Sequence, residues 1–171
     1  IEEVKTYLET VPKERQKAMF AQLSNQVINS FKNIVEVESA LNAPKGETFV
    51  VGLLPENFFN KLKSKKNRKG NDLNIESRIL TIDDKRIIHA LRTDHPAIPK
   101  EVLSKLPELI KEWACTYTPV DGLVFYSEPL KSDKKKRYKV VFGLENESSK
   151  RLVFKTGMIV DATAFSKKHL L

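Results

Sequence analysis

The sequence predicts an α+β fold: N-terminal helices, then a small antiparallel sheet of four strands with helices packed on one face. Three observations carry that expectation. Apolar residues recur at helical spacing as far as Trp113. From Ala114 the pattern changes to short strands. The links between those strands, Pro119 to Gly122, Lys131 to Arg137 and Glu145 to Lys150, hold the turn-forming residues of hairpins.

The elements follow in order. Ile1, Val4, Leu8 and Val11 keep helical spacing up to Pro12. A second helix then runs to about Leu41, with Phe20, Leu23, Val27, Phe31 and Ile34 on one stripe. We read residues 1–46 as a helical lead-in or stalk and residues 47–171 as the α+β domain. Thr48 to Leu54 is a strand rich in β-branched and aromatic residues, and Asn57 to Lys63 is a short helix after Pro55. Lys61 to Gly70 carries six positive charges and no negative one. Leu73 to Ile82 reads as a strand that feeds the next helix.

That helix holds most of the chemistry. Thr81 and Asp84 have the spacing of a capping box, so the helix is expected to start there. It should end near Thr93 or Asp94, because Pro96 disfavours helical backbone at His95. Ile87, Ile88 and Leu91 fall on one face, while Lys85, His89 and Arg92 line another within about 60°. Pro99 to Trp113 is a further helix that Pro107 should kink or split. The strands then run over Cys115 to Thr118, Leu123 to Ser127, Tyr138 to Leu144 and Arg151 to Lys155, and the tail from Gly157 turns back across the sheet.

Net charge is +8 and the isoelectric point is near 9.5, which points to a polyanion, nucleic acid before a membrane surface. No apolar run approaches the roughly 18 residues of a membrane span. The lone Cys115 excludes an internal disulfide and a Cys-based zinc site, and two histidines six apart lack the spacing of a metal site on one helix. No metal or cofactor is expected. The chain opens at Ile1 inside a helical pattern, so we read it as the C-terminal module of a longer protein.

An imidazole between two cations, with His95 in the turn beyond, suits RNA cleavage without a metal. The 2′-hydroxyl has to lose a proton and the leaving oxygen has to gain one, and histidine serves either transfer near neutral pH. Lys and Arg supply charge at the phosphate. Arg and His near a helix C-terminus are equally what the macrodipole favours, so the same residues fit a helix without chemistry. Lys61, Lys65, Lys66, Arg68, Lys85, Lys135 and Arg137 are candidates for binding RNA, and a basic run also fits a solvated loop.

LTIDDKRIIHALRTDHP, the Pro-rich helix before Trp113, and the strand segments LVFYSEP, RYKVVFGL and RLVFKTGMIVDATAF together resemble one nuclease group. From about Phe49 to the end, the chain is similar to the phage branch of the barnase–EndoU–colicin–RelE superfamily of small RNases. That resemblance implies an RNase-toxin-like fold with a helical segment packed on a curved sheet. It also implies metal-independent ribonucleolytic toxicity towards tRNA, ribosomal RNA or messenger RNA, and an immunity protein as partner. The expected setting is the cytoplasm of the producing or target cell, reached as part of a phage or secreted toxin protein. Under the resemblance, His89 and His95 take the catalytic positions with Arg92 at the phosphate. Tyr126, Tyr138, Lys155, Thr156 and Thr163 are the candidates from the sheet and tail.

Two other classes remain. In a non-catalytic nucleic-acid or partner-binding module, the stretches Lys61–Lys69 and Lys131–Lys139 would do the binding. An ADP-ribosyltransferase-like toxin would need a catalytic carboxylate beside Arg151 and Ser127, and the glutamates sit in the wrong loops for that.

Overall fold

A computed structural model of the chain describes residues 22, 25–26, 29–35, 46–91, 98–144 and 151–171. The proposed stalk therefore lies mostly outside the described residues. Residues 29–35 are helical, as the spacing predicts; Phe31 of the predicted stripe is buried in the core, Ile34 packs against it half-buried, and Val35, outside that stripe, is buried as well.

The fold is α+β, but the sheet is larger than expected. It has six strands: β1 (Thr48–Leu53), β2 (Ile79–Asp83), β3 (Ala114–Thr118), β4 (Gly122–Tyr126), β5 (Lys136–Leu144) and β6 (Leu152–Asp161). Their order across the sheet is β1-β2-β6-β5-β4-β3. The last four strands pair antiparallel in sequence, as hairpin-like links require. β2 then joins β6 in parallel, and β1 pairs antiparallel with β2. The expected four-stranded antiparallel sheet is thus replaced by a six-stranded mixed one, because the early strands add to β6 through non-local pairing.

Helix α1 (Glu56–Lys63) buries Phe59 and Leu62. The helix expected from Thr81 begins later. Thr81 and Ile82 belong to β2, and α2 spans Asp84–Ala90. No side chain caps α2 at Asp83. Asp84 is instead buried, with one oxygen accepting from the Lys85 N–H and the other from the Glu47 N–H. The expected end at Thr93 or Asp94 lies outside the described residues, as does the link 145–150. The helix expected from Pro99 is split, into α3 (Lys100–Ser104) and α4 (Leu106–Leu109), with Pro107 in the first turn of α4. Leu103, Leu106 and Ile110 from this segment pack into the core.

One face of the sheet is dry. Phe142 sits edge-on between Phe125 and Phe154, at centroid distances of 5.8 and 5.9 Å. Gly157 lies on this inner face opposite Val140, and a Cβ there would stand 2.6 Å from Ile98 Cδ1. The absent side chain lets the Ile98 segment press against β6. Strand β6 runs to Asp161, six residues beyond the expected Lys155, so the tail starts later than the sequence suggests. It then crosses to the far edge: Phe165 packs on Tyr126 with the rings tilted and centroids 5.5 Å apart, Leu170 bridges Thr116, and the Leu171 N–H donates to the Cys115 carbonyl.

Candidate active site on the open face of the sheet

Directly opposed residues of an antiparallel pair share a face. Val140 and Phe142 are fully buried on the inner face, so their neighbours in β5 point outward. Register therefore places Tyr126, Lys139 and Met158 in one row across the outer face, with Val124, Val141 and Thr156 in the next and Arg137 paired with Val160. Tyr138 is excluded from this face: it lies on the other side, stacked on Trp113 at 6.2 Å. Lys139, Val141, Thr156, Met158 and Val160 remain half-buried on this face, whereas Val124 beside them is buried.

Lys155 is the extra residue of a bulge, because Val141 pairs with Thr156 while Phe142 pairs with Phe154. Its stem lies over Gly143: a Cβ on that glycine would stand 3.4 Å from Lys155 Cε and 3.5 Å from Cγ. The glycine leaves room for the lysine to lie along the sheet.

Beside Lys155 the sheet changes neighbour. β2 pairs with β6 only at Leu152 and Val153, and beyond them α2 takes its place. Arg86 Nη1 donates to the Lys155 carbonyl at 3.1 Å, satisfying a group on the edge that β2 leaves. Helical geometry sets His89 about 60° from Arg86 and about 40° from Lys85 around the axis. His89 and Lys85 are exposed, whereas Ile87 and Ala90 are buried. Of the expected buried face Ile87 is buried, while Ile88 and Leu91 are half-buried and Ala90 is buried instead. Arg92 and His95 lie outside the described residues.

The other candidates fall elsewhere. Tyr126 is buried beneath Phe165, and burial first, then the charge of Asp121, pushes its phenol above the ordinary range. It is a neutral hydroxyl at physiological pH, not a base. Thr163 is exposed in a turn of 3-10 helix (Ala162–Ala164) past the end of β6, about 20 Å along the strand from Lys155. It accompanies Lys135, whose carbonyl accepts from the Ala162 N–H. Arg137 Nη1 donates to the Ser127 carbonyl at 2.8 Å, its guanidinium lies 4.9 Å from the Phe165 ring, and its Nε is buried without a hydrogen-bond partner. These contacts make it a clamp between β5 and the tail.

The two basic stretches do not form one surface. Lys135 and Arg137 sit at the start of β5, while the segment Lys65 to Arg68 adjoins its end at Leu144, about 27 Å away along the strand. That second segment is an ordered turn. Asn67 Oδ1 accepts the N–H groups of Lys69 and Asn71, and Lys66 pairs with Asp72. Lys61 projects from the last turn of α1. Ser127 and Arg151, which ADP-ribosyl transfer would need together, lie at opposite ends of the sheet. The Ser127 N–H bonds to Tyr138 near the start of β5, and Arg151 precedes β6.

The structure thus ties the helix that carries Lys85 and His89 to β6 at the Lys155 carbonyl through Arg86, with Thr156 next along β6. Sequence reasoning missed Arg86, whose i, i+3 spacing to His89 was visible but whose acceptor is 69 residues away. Among the described residues, no group of three or more His, Cys, Asp or Glu side chains is placed to hold a metal ion, and no helix is long and apolar enough to cross a membrane. No family model, curated protein or solved structure matches this chain.

Proposed function

We propose that this domain is a metal-independent endoribonuclease whose substrate lies across the open face of the sheet. The observation that carries this reading is the seating of α2 on β6. Through Arg86 it ties the helix that carries the exposed His89 to the Lys155 backbone, next to a row of half-buried residues on the outer face of the sheet.

The chemistry needs two proton transfers and one charge. A base takes the proton of a ribose 2′-hydroxyl, whose oxygen attacks the adjacent phosphorus. The bond to the 5′-oxygen breaks, that oxygen takes a proton, and a 2′,3′-cyclic phosphate remains. His89 performs one transfer, and we assign the other to His95. Lys155 and Lys85, together with Arg92, balance the charge that builds on the phosphate oxygens. Thr156 donates to a phosphate or ribose oxygen. The resemblance to the phage branch of the barnase-like RNases supports the same assignment. On this reading the domain acts in the cytoplasm of the producing or target cell, and an immunity protein would cover the open face.

A non-catalytic nucleic-acid-binding module is the second reading. It is favoured by the contacts that tie Tyr126 and Arg137 to the tail, which give them structural work. Incubation with total tRNA and ribosomal RNA in EDTA separates the two. We expect cleavage that His89→Ala lowers by about 10² to 10⁴, with urea stability unchanged within about 0.5 kcal/mol because the side chain is exposed. Undiminished cleavage by His89→Ala would remove this histidine from the mechanism. Intact RNA with salt-sensitive retention would establish the binding module.

A further inference from the structure

A pocket of about 660 Å³ opens between the ordered basic turn and the β3–β4 hairpin, where β5 ends and β6 begins. Neither α2 nor Lys155 contributes to it. Its floor is apolar, built from Leu73, Ile75, Leu123, Phe142 and Leu152. Its rim is polar and carries the exposed cations Arg68 and Lys69 beside Asn67, Asn71 and Asn74. The size falls within the range of small-molecule sites, and an apolar floor with convergent polar groups is their usual composition.

One wall is aromatic and fixed. The Tyr117 hydroxyl donates to the Lys66 carbonyl at 2.7 Å, tying the ring to the backbone of the basic turn. Burial pushes this phenol up, so it keeps the proton it donates. Opposite the turn, Val120 overhangs the mouth and is 67% exposed, one of two large apolar side chains so open among the described residues. Of the two carboxylates at the rim, Asp72 is paired with Lys66, and Asp121 accepts from the Thr118 hydroxyl.

We infer that this pocket holds one unpaired nucleotide, its base against Tyr117 and Val120 and its phosphate at Arg68 and Lys69. A ring held in place offers a π-face to any base without ordering cost at binding. The asparagine amides match base edges, which present donors and acceptors side by side. The rim cations match the phosphate. The inference is independent of cleavage by His89, since it asks for binding alone.

The test titrates the full chain with each nucleoside 5′-monophosphate and with a single-stranded tetranucleotide, followed by backbone amide NMR. His89→Ala is the background for the strand, to keep it whole. Saturable shifts should centre on Asn71, Tyr117 and Val120 and weaken with salt. Arg68→Ala, at an exposed position, should lower affinity about fivefold. Tyr117→Leu should lower it about tenfold, while Tyr117→Phe, which keeps the ring but loses its tie to Lys66, should lower it by only about two- to threefold. Tighter binding of the tetranucleotide would assign the pocket to a strand, and equal binding to a free nucleotide. The inference fails if no nucleotide saturates by roughly 10 mM. It also fails if shifts centre on Lys139 and Lys155, or if Arg68→Ala binds undiminished, and this last readout stands even if Tyr117→Leu does not fold.

Discussion

Along β5, successive residues live in different solvents. Val140 and Phe142 are fully buried, and Phe142 is gripped edge-on by two further phenylalanines. Lys139 and Val141, one position away each, stay half-buried on the opposite face. The inner face holds the core, with Ile98 against Gly157, and gives way at one end to the pocket floored by Leu123, Phe142 and Leu152. The outer face is closed only in part, where the tail lays Phe165 over Tyr126 and Arg137. A sheet that needed both faces for stability would not leave lysines along one of them. The contrast implies that stability rests on the first face, and the proposed cleavage on the second.

Substitutions can break that division. The largest effect belongs to Phe142→Ala, which leaves a cavity between two rings and should cost about 3 to 5 kcal/mol in urea unfolding. A cost below about 1 kcal/mol would mean that the inner face is not the core. Next comes Cys115, opposite Phe125 in the β3–β4 pair and therefore on the inner face. Burial pushes its thiol from 9.0 up to about 12. Between those values the unfolded chain ionises this group and the folded chain does not, so the stability it contributes is intact below pH 9 and is lost as pH rises towards 12. Urea midpoints of the natural chain should therefore fall more steeply over that interval than those of Cys115→Ala. Parallel curves would show that the thiol is solvated.

Smaller effects probe the outer side. Lys155→Ala should leave stability within about 0.5 kcal/mol and reduce the salt dependence of RNA binding by about one unit of slope. An unchanged slope would take Lys155 off the phosphate. The least effect is expected for Asp161→Asn at the exposed end of β6. Hydrogen bonding and charge from Lys136 hold this carboxyl below the usual range. Its small contribution is present above that range and disappears as pH falls through the lowered value. Salt should abolish the difference between the two chains.

Much of the inner face was legible in the sequence. Strands β1, β3, β4 and β5 announce themselves through β-branched and aromatic residues between turn-formers, and Pro107 marks the split helix. Two features hid. The Lys155 bulge breaks alternation, and Gly157 reads as a strand end, although the glycine serves the close approach of Ile98. The Thr81–Asp84 spacing mimics a cap, yet Thr81 is wholly buried in β2, and its hydroxyl reaches the Leu152 carbonyl at 3.3 Å. The site was legible only in its local part. Lys85 and His89 share a side by helical period, but Lys155 joins them through pairing that no local pattern records. Tyr117 looked like any strand tyrosine, because its partner is a backbone carbonyl 51 residues away.

The parallel pairing of β2 with β6 also sets the order of assembly. Thr81 and the carbonyl it reaches on Leu152 are 71 residues apart, so during synthesis from the N-terminus β2 waits for the last strand to emerge. Until then the edge that carries α2 has no β6 to rest on, and Arg86 has no Lys155 carbonyl to hold. Pulse-labelled hydrogen exchange during refolding should therefore protect the seam between β2 and β6, at Leu80–Thr81 and Leu152–Val153, after the β1–β2 pair and the β3–β4 hairpin. The proposed site then comes into being with the final strand, and a nascent chain carries it only in pieces.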